Sequence, residues 1–370
     1  MKGFGFFVAS VLVLSVLTGW THRAAAAPMD ELVAAAKKEG IIDFYAPSTL
    51  SPQGAQALGE AFNKKYGLSV RLNYHPSGGM TGDVGRIAGL AAAGQPPDWD
   101  LMVVHDAGHS TLWLRKLHKP FDYRKLGIDP RVINFDSGTV IVANQFALPA
   151  YNSKILPPQD VPKKWEDLLD PKWKGGKLGM STATHHLARL ATAWGEEKTT
   201  EYVKALAGQK PSLGRLAEIY TRLLLGEIQI AITQLDEFIH RAKATGAPIV
   251  FAEEVQPVIS PTVNAGVLKG ARHPNAGHLF AVFLTTHEAQ EIWEKHQGQT
   301  SAFVVGTPAY KYAQGRKVLF MAQDQAEMVD RLTREYGKIL GFREVKVPDE
   351  TTKLARCLPD NLEAEQGEQL

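Results

Sequence analysis

From Asp30 to Val104 the chain alternates helical and strand patterns, and this alternation constrains the fold more than any other feature. Asp30 is placed to cap a helix carrying Leu32, Val33 and Ala36, which Gly40 stops. Residues 41–45 follow as a strand. Ser51 and Pro52 suit the first turn of a second helix, which buries Ala55, Leu58 and Phe62 and ends at Gly67. Leu68, Val70, Leu72 and Tyr74 alternate as a strand, and residues 81–93 read as a helix stopped at Gly94. Residues 101–104 form an unbroken apolar run, the pattern of a strand covered on both faces. Repeated units of this kind predict an α/β fold with mostly parallel sheets.

The texture changes at residues 132–149, which are rich in β-branched residues and poor in helix signals. This stretch reads as a crossing between two lobes. A second α/β unit follows, with strands at 177–180 and 228–232 and helices at 185–194 and 216–225. Residues 262–268 read as a strand returning to the first lobe, and 275–285 and 288–297 as helices. The expected division is a signal peptide at 1–27, lobe I at 28–138 and 262–305, lobe II at 139–261 and 306–346, and a polar tail at 347–370. Two lobes joined by more than one crossing form a hinged clamshell that closes on a ligand in its cleft.

The start of the chain supports export. Lys2 gives a weakly basic opening, residues 4–19 are apolar but shorter than the roughly 20 residues of a spanning helix, and Ala25-Ala26-Ala27 precedes Pro28 as a small-residue cleavage pattern. No cysteine stands at that point, so no lipid anchor is expected. Cys357 is the single cysteine, read as a spare thiol, and excludes an intrachain disulfide. With 41 basic and 39 acidic residues the net charge is +2. There is no basic stripe, so nucleic acid is not expected as a partner. Gly-x-Ser-x-Gly, Ser-x-x-Lys and His-Glu-x-x-His are absent. Neither catalysis nor a cofactor is expected.

The run from Trp165 through Asp170, Pro171, Trp173, Gly175 and Gly176 to Met180, preceded by Ala150-Tyr151-Asn152, resembles the family 1 extracellular solute-binding proteins. The subgroup it resembles includes the periplasmic ferric-ion-binding proteins. Asp106-Ala107-Gly108, Gly226-Glu227-Ile228, residues 265–270, Pro274-Asn275-Ala276 and Glu288-Ala289-Gln290 are similar in order and spacing. The resemblance implies a monomeric, periplasmic type II clamshell that delivers a small molecule to an ABC permease in the inner membrane. The iron-binding members carry two adjacent tyrosines after the strand matching 228–232. Here the segment reads Thr233-Gln234-Leu235-Asp236-Glu237-Phe238, with no tyrosine pair.

Five segments supply the candidate ligand contacts. Ser48 and Thr49 follow a strand and precede a helix, where hydroxyls and free N–H groups meet an anion. Ser77, Gly78 and Gly79 form a turn that lets a ligand approach the backbone. His105, Asp106 and His109 offer imidazoles four apart with a carboxylate, although capping by Asp106 and a solvent-facing His109 explain the same pattern. Thr182, Thr184 and His185 face the cleft from lobe II in the family pattern, against the simpler reading of a helix cap with a surface pair His185-His186. Gln234 and Asp236 stand where the tyrosines are missing. The hydroxyl and glycine loops favour an anionic ligand such as a phosphonate, phosphate ester, sulfonate or carboxylate, whereas Asp236 favours a cation or amine. The alternative is an iron(III) or metal-chelate receptor using His105, Asp236 or Glu237.

Overall fold

A computed structural model describes residues 28–342; the expected signal peptide, Cys357 and the polar tail lie outside them. Two six-strand paths organise the molecule. The first sheet runs, edge to edge, through Arg71–Pro76, Ile41–Ala46, Leu101–His105, Thr262–Val267, Thr139–Asn144 and Ile133–Asn134. The second runs through Val318–Phe320, Val258–Ser260, Ala147–Asn152, Ile230–Leu235, Leu178–Ser181 and Ser212–Gly214, with Ile249–Phe251 also pairing to Ala147–Asn152.

Both sheets are mixed rather than mostly parallel. The β-α units at the start pair in parallel, but Thr262–Val267 and Thr139–Asn144 pair antiparallel. The reason is topological: a strand leaving a lobe and a strand returning to it run in opposite directions. Thr139–Asn144, expected in lobe II, therefore lies in the first sheet, and the chain passes over at Gln145 and Phe146. The return is at Pro261. A third segment, 299–302, crosses beside them. Asn144 joins all three: its N–H donates to Thr300 O at 2.9 Å, its Nδ2 to Ser260 Oγ at 3.2 Å, and its Oδ1 accepts from Ala302 N at 2.7 Å.

Each lobe has its own core. In the first, the helix Ser51–Tyr66 presents Ala55, Leu58 and Phe62 inward and stops at Gly67 in the left-handed conformation. Phe62 and Phe44 meet Phe280 edge-on at 5.2 and 5.1 Å between ring centres, and each fully buried phenylalanine contributes about 1.5–3 kcal/mol. In the second, the tryptophan-rich run forms short 3₁₀ turns that plug the core. Trp165 is fully buried, donates from Nε1 to Pro257 O at 3.0 Å, and its carbonyl accepts from Tyr202 at 2.9 Å. This motif is scaffold, remote from the cleft. The helix Ala326–Leu340 packs on the helices His185–Arg189 and Glu196–Gly208 of the second lobe and reaches across to Asp106–Leu114 of the first.

Candidate functional site

The C-terminal ends of the parallel strands in both lobes point into one cleft, as strand-to-helix connections of open α/β sheets do. Two hollows open there, and His105 and Met80 line both. The inner one, about 260 Å³, lies between Pro47, Ser48, Thr49 and Ser77 of the first lobe and Leu216, Leu235 and Glu237 of the second, with Gln145, Val263, Gln297 and Gln299 at its floor. The outer one, about 440 Å³, lies between the helices Met80–Ala92 and Asp106–Leu114 on one side and Thr182, His185 and the C-terminal helix on the other.

Of the thirteen residues singled out in the five segments, Ser48, Thr49, Ser77 and His105 line the inner hollow, and His105, Thr182 and His185 line the outer one. Gly78 and Gly79 are exposed beside Ser77 but outside both linings. The remaining five, Thr184, Gln234, Asp236, Asp106 and His109, are engaged elsewhere. Thr184 Oγ1 donates to Thr333 O at 2.9 Å. Gln234 lies within the strand Ile230–Leu235, not in a loop; its Nε2 donates to Leu216 O at 3.3 Å and its Oε1 accepts from Leu235 N at 3.0 Å. Asp236 Oδ1 accepts from Phe146 N at 3.1 Å. Burial pushes the Asp236 carboxyl up to about 7, against the opposing pull of the Phe146 N–H.

Asp106 is the first residue of its helix, with His105 rather than Asp106 at the cap position, and it also spans the lobes. It accepts from Ala107 N at 2.8 Å and Thr262 N at 3.3 Å, and it pairs with Arg189 of the second lobe. Both side chains are almost wholly buried. Arg189 was not foreseen: 83 residues separate it from its partner, and no local pattern marks it. His109 is buried rather than solvent-facing. Its Nε2 donates to Asn264 O at 2.9 Å, which leaves Nδ1 to accept from His118 Nε2 at 2.9 Å. His185 and His186 are not a surface pair; His186 is buried and the rings meet edge-on at 4.3 Å.

The charge pattern of the cleft is the decisive feature. Neither lining contains a lysine or arginine. Burial pushes His105 and His185 toward the neutral form. Glu237 is the charged side chain of the inner hollow; burial pushes its carboxyl up and Arg241 pulls it back. Of the N–H groups expected to hold an anion, Gly79 N already donates to Asp83 Oδ2 at 3.1 Å, and at the start of the helix Asp106–Leu114 the Asp106 carboxylate takes Ala107 N. The Tyr45 hydroxyl, 2.6 Å from Asp83 Oδ2 and 2.7 Å from Ser77 Oγ, gives its single proton to the carboxylate and accepts from Ser77. Among the described residues, the group of three metal-capable side chains with ligand atoms mutually within 4.8 Å is Asp43, Asp100 and His273, in the first lobe. There Asp100 already accepts from the N–H groups of Asp43, Arg272 and His273.

Residues 42–296 match the model of a family described as bacterial extracellular solute-binding proteins. The chain belongs to this family. Among solved structures, this solute-binding protein is similar to iron-bound HitA from Pseudomonas aeruginosa, at 18% identity over 80% of this chain and 99% of that one, with a TM-score of 0.66. It is similar to a Trichodesmium protein, IdiA or FutA, in complex with iron and citrate, at 19% identity over 82% and 100%, TM-score 0.64. It is also similar to the Atu4243–GABA receptor, at 14% identity over 82% and 98%, TM-score 0.64. These likenesses show a type II, two-lobe periplasmic binding protein fold. An uncharacterized protein of Haemophilus influenzae is 27% identical over 157 residues, 41% of this chain and 45% of that relative. No helix among the described residues is long and apolar enough to cross a membrane.

Proposed function

We propose that this solute-binding protein is the periplasmic receptor of an ABC importer, a monomer that hands a small molecule to an inner-membrane permease without transforming it. Its ligand carries a cationic or hydrogen-bond-donating head, held in the inner hollow by Glu237 and the side-chain amides of Gln145 and Gln299. The observation that carries this reading is the Glu237 carboxylate in a hollow whose lining holds no lysine or arginine, with Arg241 acting on it from outside that lining. A buried carboxylate is costly unless paired, and an arriving ammonium or guanidinium supplies the partner. It also holds Glu237 ionised against the upward push of burial. An anion, the class favoured by the loop hydroxyls, meets no side-chain cation here. Iron, bound by two of the similar proteins, meets His105 and Glu237 in this hollow but not Asp236, which is bonded to Phe146.

Thermal shift with a panel of amines, guanidines, polyols, phosphonates and carboxylates tests the reading. An amine or guanidine at saturating concentration is expected to raise the melting temperature by several degrees; binding at 100 times Kd is worth about 2.7 kcal/mol. Glu237→Gln is expected to weaken that ligand about tenfold or more, the value of a charge-assisted hydrogen bond. A shift produced by phosphonates or carboxylates alone, and unchanged in Glu237→Gln, contradicts it.

A further inference from the structure

The outer hollow has a different chemistry from the inner one. Its walls are largely apolar: Met80 and Val84 on one helix, Val104 and Ala107 beside them, and Met321 and Val329 from the C-terminal segment. Hydroxyls of Thr81, Thr111 and Thr182 are set among them. Asp330 is its one carboxylate, and it already forms a 2.5 Å ion pair with Arg334. The two histidines on the wall, His105 and His185, are pushed toward neutrality by burial. At about 440 Å³ the hollow falls within the 300–1,000 Å³ typical of small-molecule sites. Filled with water alone it would hold on the order of a dozen molecules at ~30 Å³ each, most of them facing hydrocarbon. His105 stands at the junction, lining both hollows, and its buried Nδ1 has no hydrogen-bond partner in the protein.

We propose that the outer hollow receives an uncharged, apolar body of the same ligand whose polar head lies beside Glu237, with His105 between the two parts. This rests on the reading above for the head. The ligand class is thereby an amphiphilic amine or guanidine, rather than a compact hydrophilic solute or a bare ion. The lobes close around the body as well as the head, since the wall combines first-lobe helices with Thr182, His185 and the C-terminal helix.

The chamber is tested separately from the head with N-phenyl-1-naphthylamine, an uncharged apolar fluorophore. Gly85 lines the hollow, is exposed, and a Cβ built on it meets nothing within 4 Å. Gly85→Phe therefore puts a ring into the chamber without a clash at its base, and replacing a mid-helix glycine removes a helix-weakening residue. Gly89 is on the same helix, equally open, and outside the lining. The expected result is one bound fluorophore per protein, at least tenfold weaker binding in Gly85→Phe, and no more than a twofold change in Gly89→Phe. Thr81→Trp, one turn earlier on the same helix, is expected to repeat the loss, so the test does not depend on one variant folding. No binding by the unmodified protein, or undiminished binding by both Gly85→Phe and Thr81→Trp, overturns the chamber assignment even if amines still require Glu237. Fluorophore binding lost in these two variants supports it even if the amine panel fails.

Discussion

Asp106→Asn is expected to destabilise the protein by about 3–5 kcal/mol and to open its cleft. That is the range for breaking a buried ion pair by removing one charge, because the other is left buried without compensation. Arg189 is fully buried, and its Nε has no hydrogen-bond partner, so it has little capacity to absorb the loss. The asparagine keeps an oxygen for Ala107 N, so the helix start is preserved, but its amide NH2 replaces the oxygen that accepts from Thr262 N, and that contact is lost together with the charge. Since Asp106 follows a first-lobe strand and Arg189 lies on a second-lobe helix, the penalty falls on the closed arrangement of the lobes. Urea unfolding measures the stability, and small-angle scattering measures an increase in the radius of gyration. Asp106→Asn combined with Arg189→Met should recover most of the loss, as paired removal of buried charges does elsewhere. A single-variant effect below 1 kcal/mol, or no change in dimensions, would refute the role given to this pair.

Acid is expected to destabilise the protein steeply below about pH 6.5. Burial depresses His105, His109, His118, His185, His186 and His278, with His109 brought to about 4 and His278 to about 3. A base with a lowered folded pKa binds protons more readily when unfolded. Its stabilisation is therefore complete above the unfolded value of 6.5 and is lost as pH falls toward the folded one. Each such group contributes up to about 1.4 kcal/mol per pH unit, so six approach a limit of roughly 8 kcal/mol per unit. Asp236 works the other way. Its carboxyl, raised from 3.8 to about 7, favours the folded state as pH falls through that window. Glu237, also raised by burial, acts in the same direction, so two groups oppose six and the net result is a loss. The urea midpoint should fall between pH 7.5 and pH 5; a midpoint that is flat or rises toward acid contradicts the neutral, buried state of these imidazoles.

Much of this architecture is legible in local pattern. The apolar run 101–104 is a doubly covered strand, and residues 262–268 do return to the first sheet. What escaped local reading depends on partners distant in sequence. Thr233 and Gln234 are polar and suggest a loop, yet the strand continues through them because backbone groups of Leu216 and Leu235 satisfy the Gln234 amide. His109 is buried because Asn264 O and His118 await its two nitrogens. Asp106 reads as a helix start, but nothing near it announces Arg189. The C-terminal helix did carry a signal: Val329, Leu332, Tyr336 and Leu340 recur at helical spacing and are buried. Its outer-chamber face, however, follows from tertiary packing alone.

Native mass spectrometry of the protein taken from the periplasm, followed by denaturation and identification of whatever is released, tests the central claim most directly. One organic molecule per chain is predicted, with an amine or guanidine head and an apolar body, and it should be missing from Glu237→Gln. Retained iron, or a phosphorus- or sulfur-containing anion held equally well by Glu237→Gln, would contradict the account.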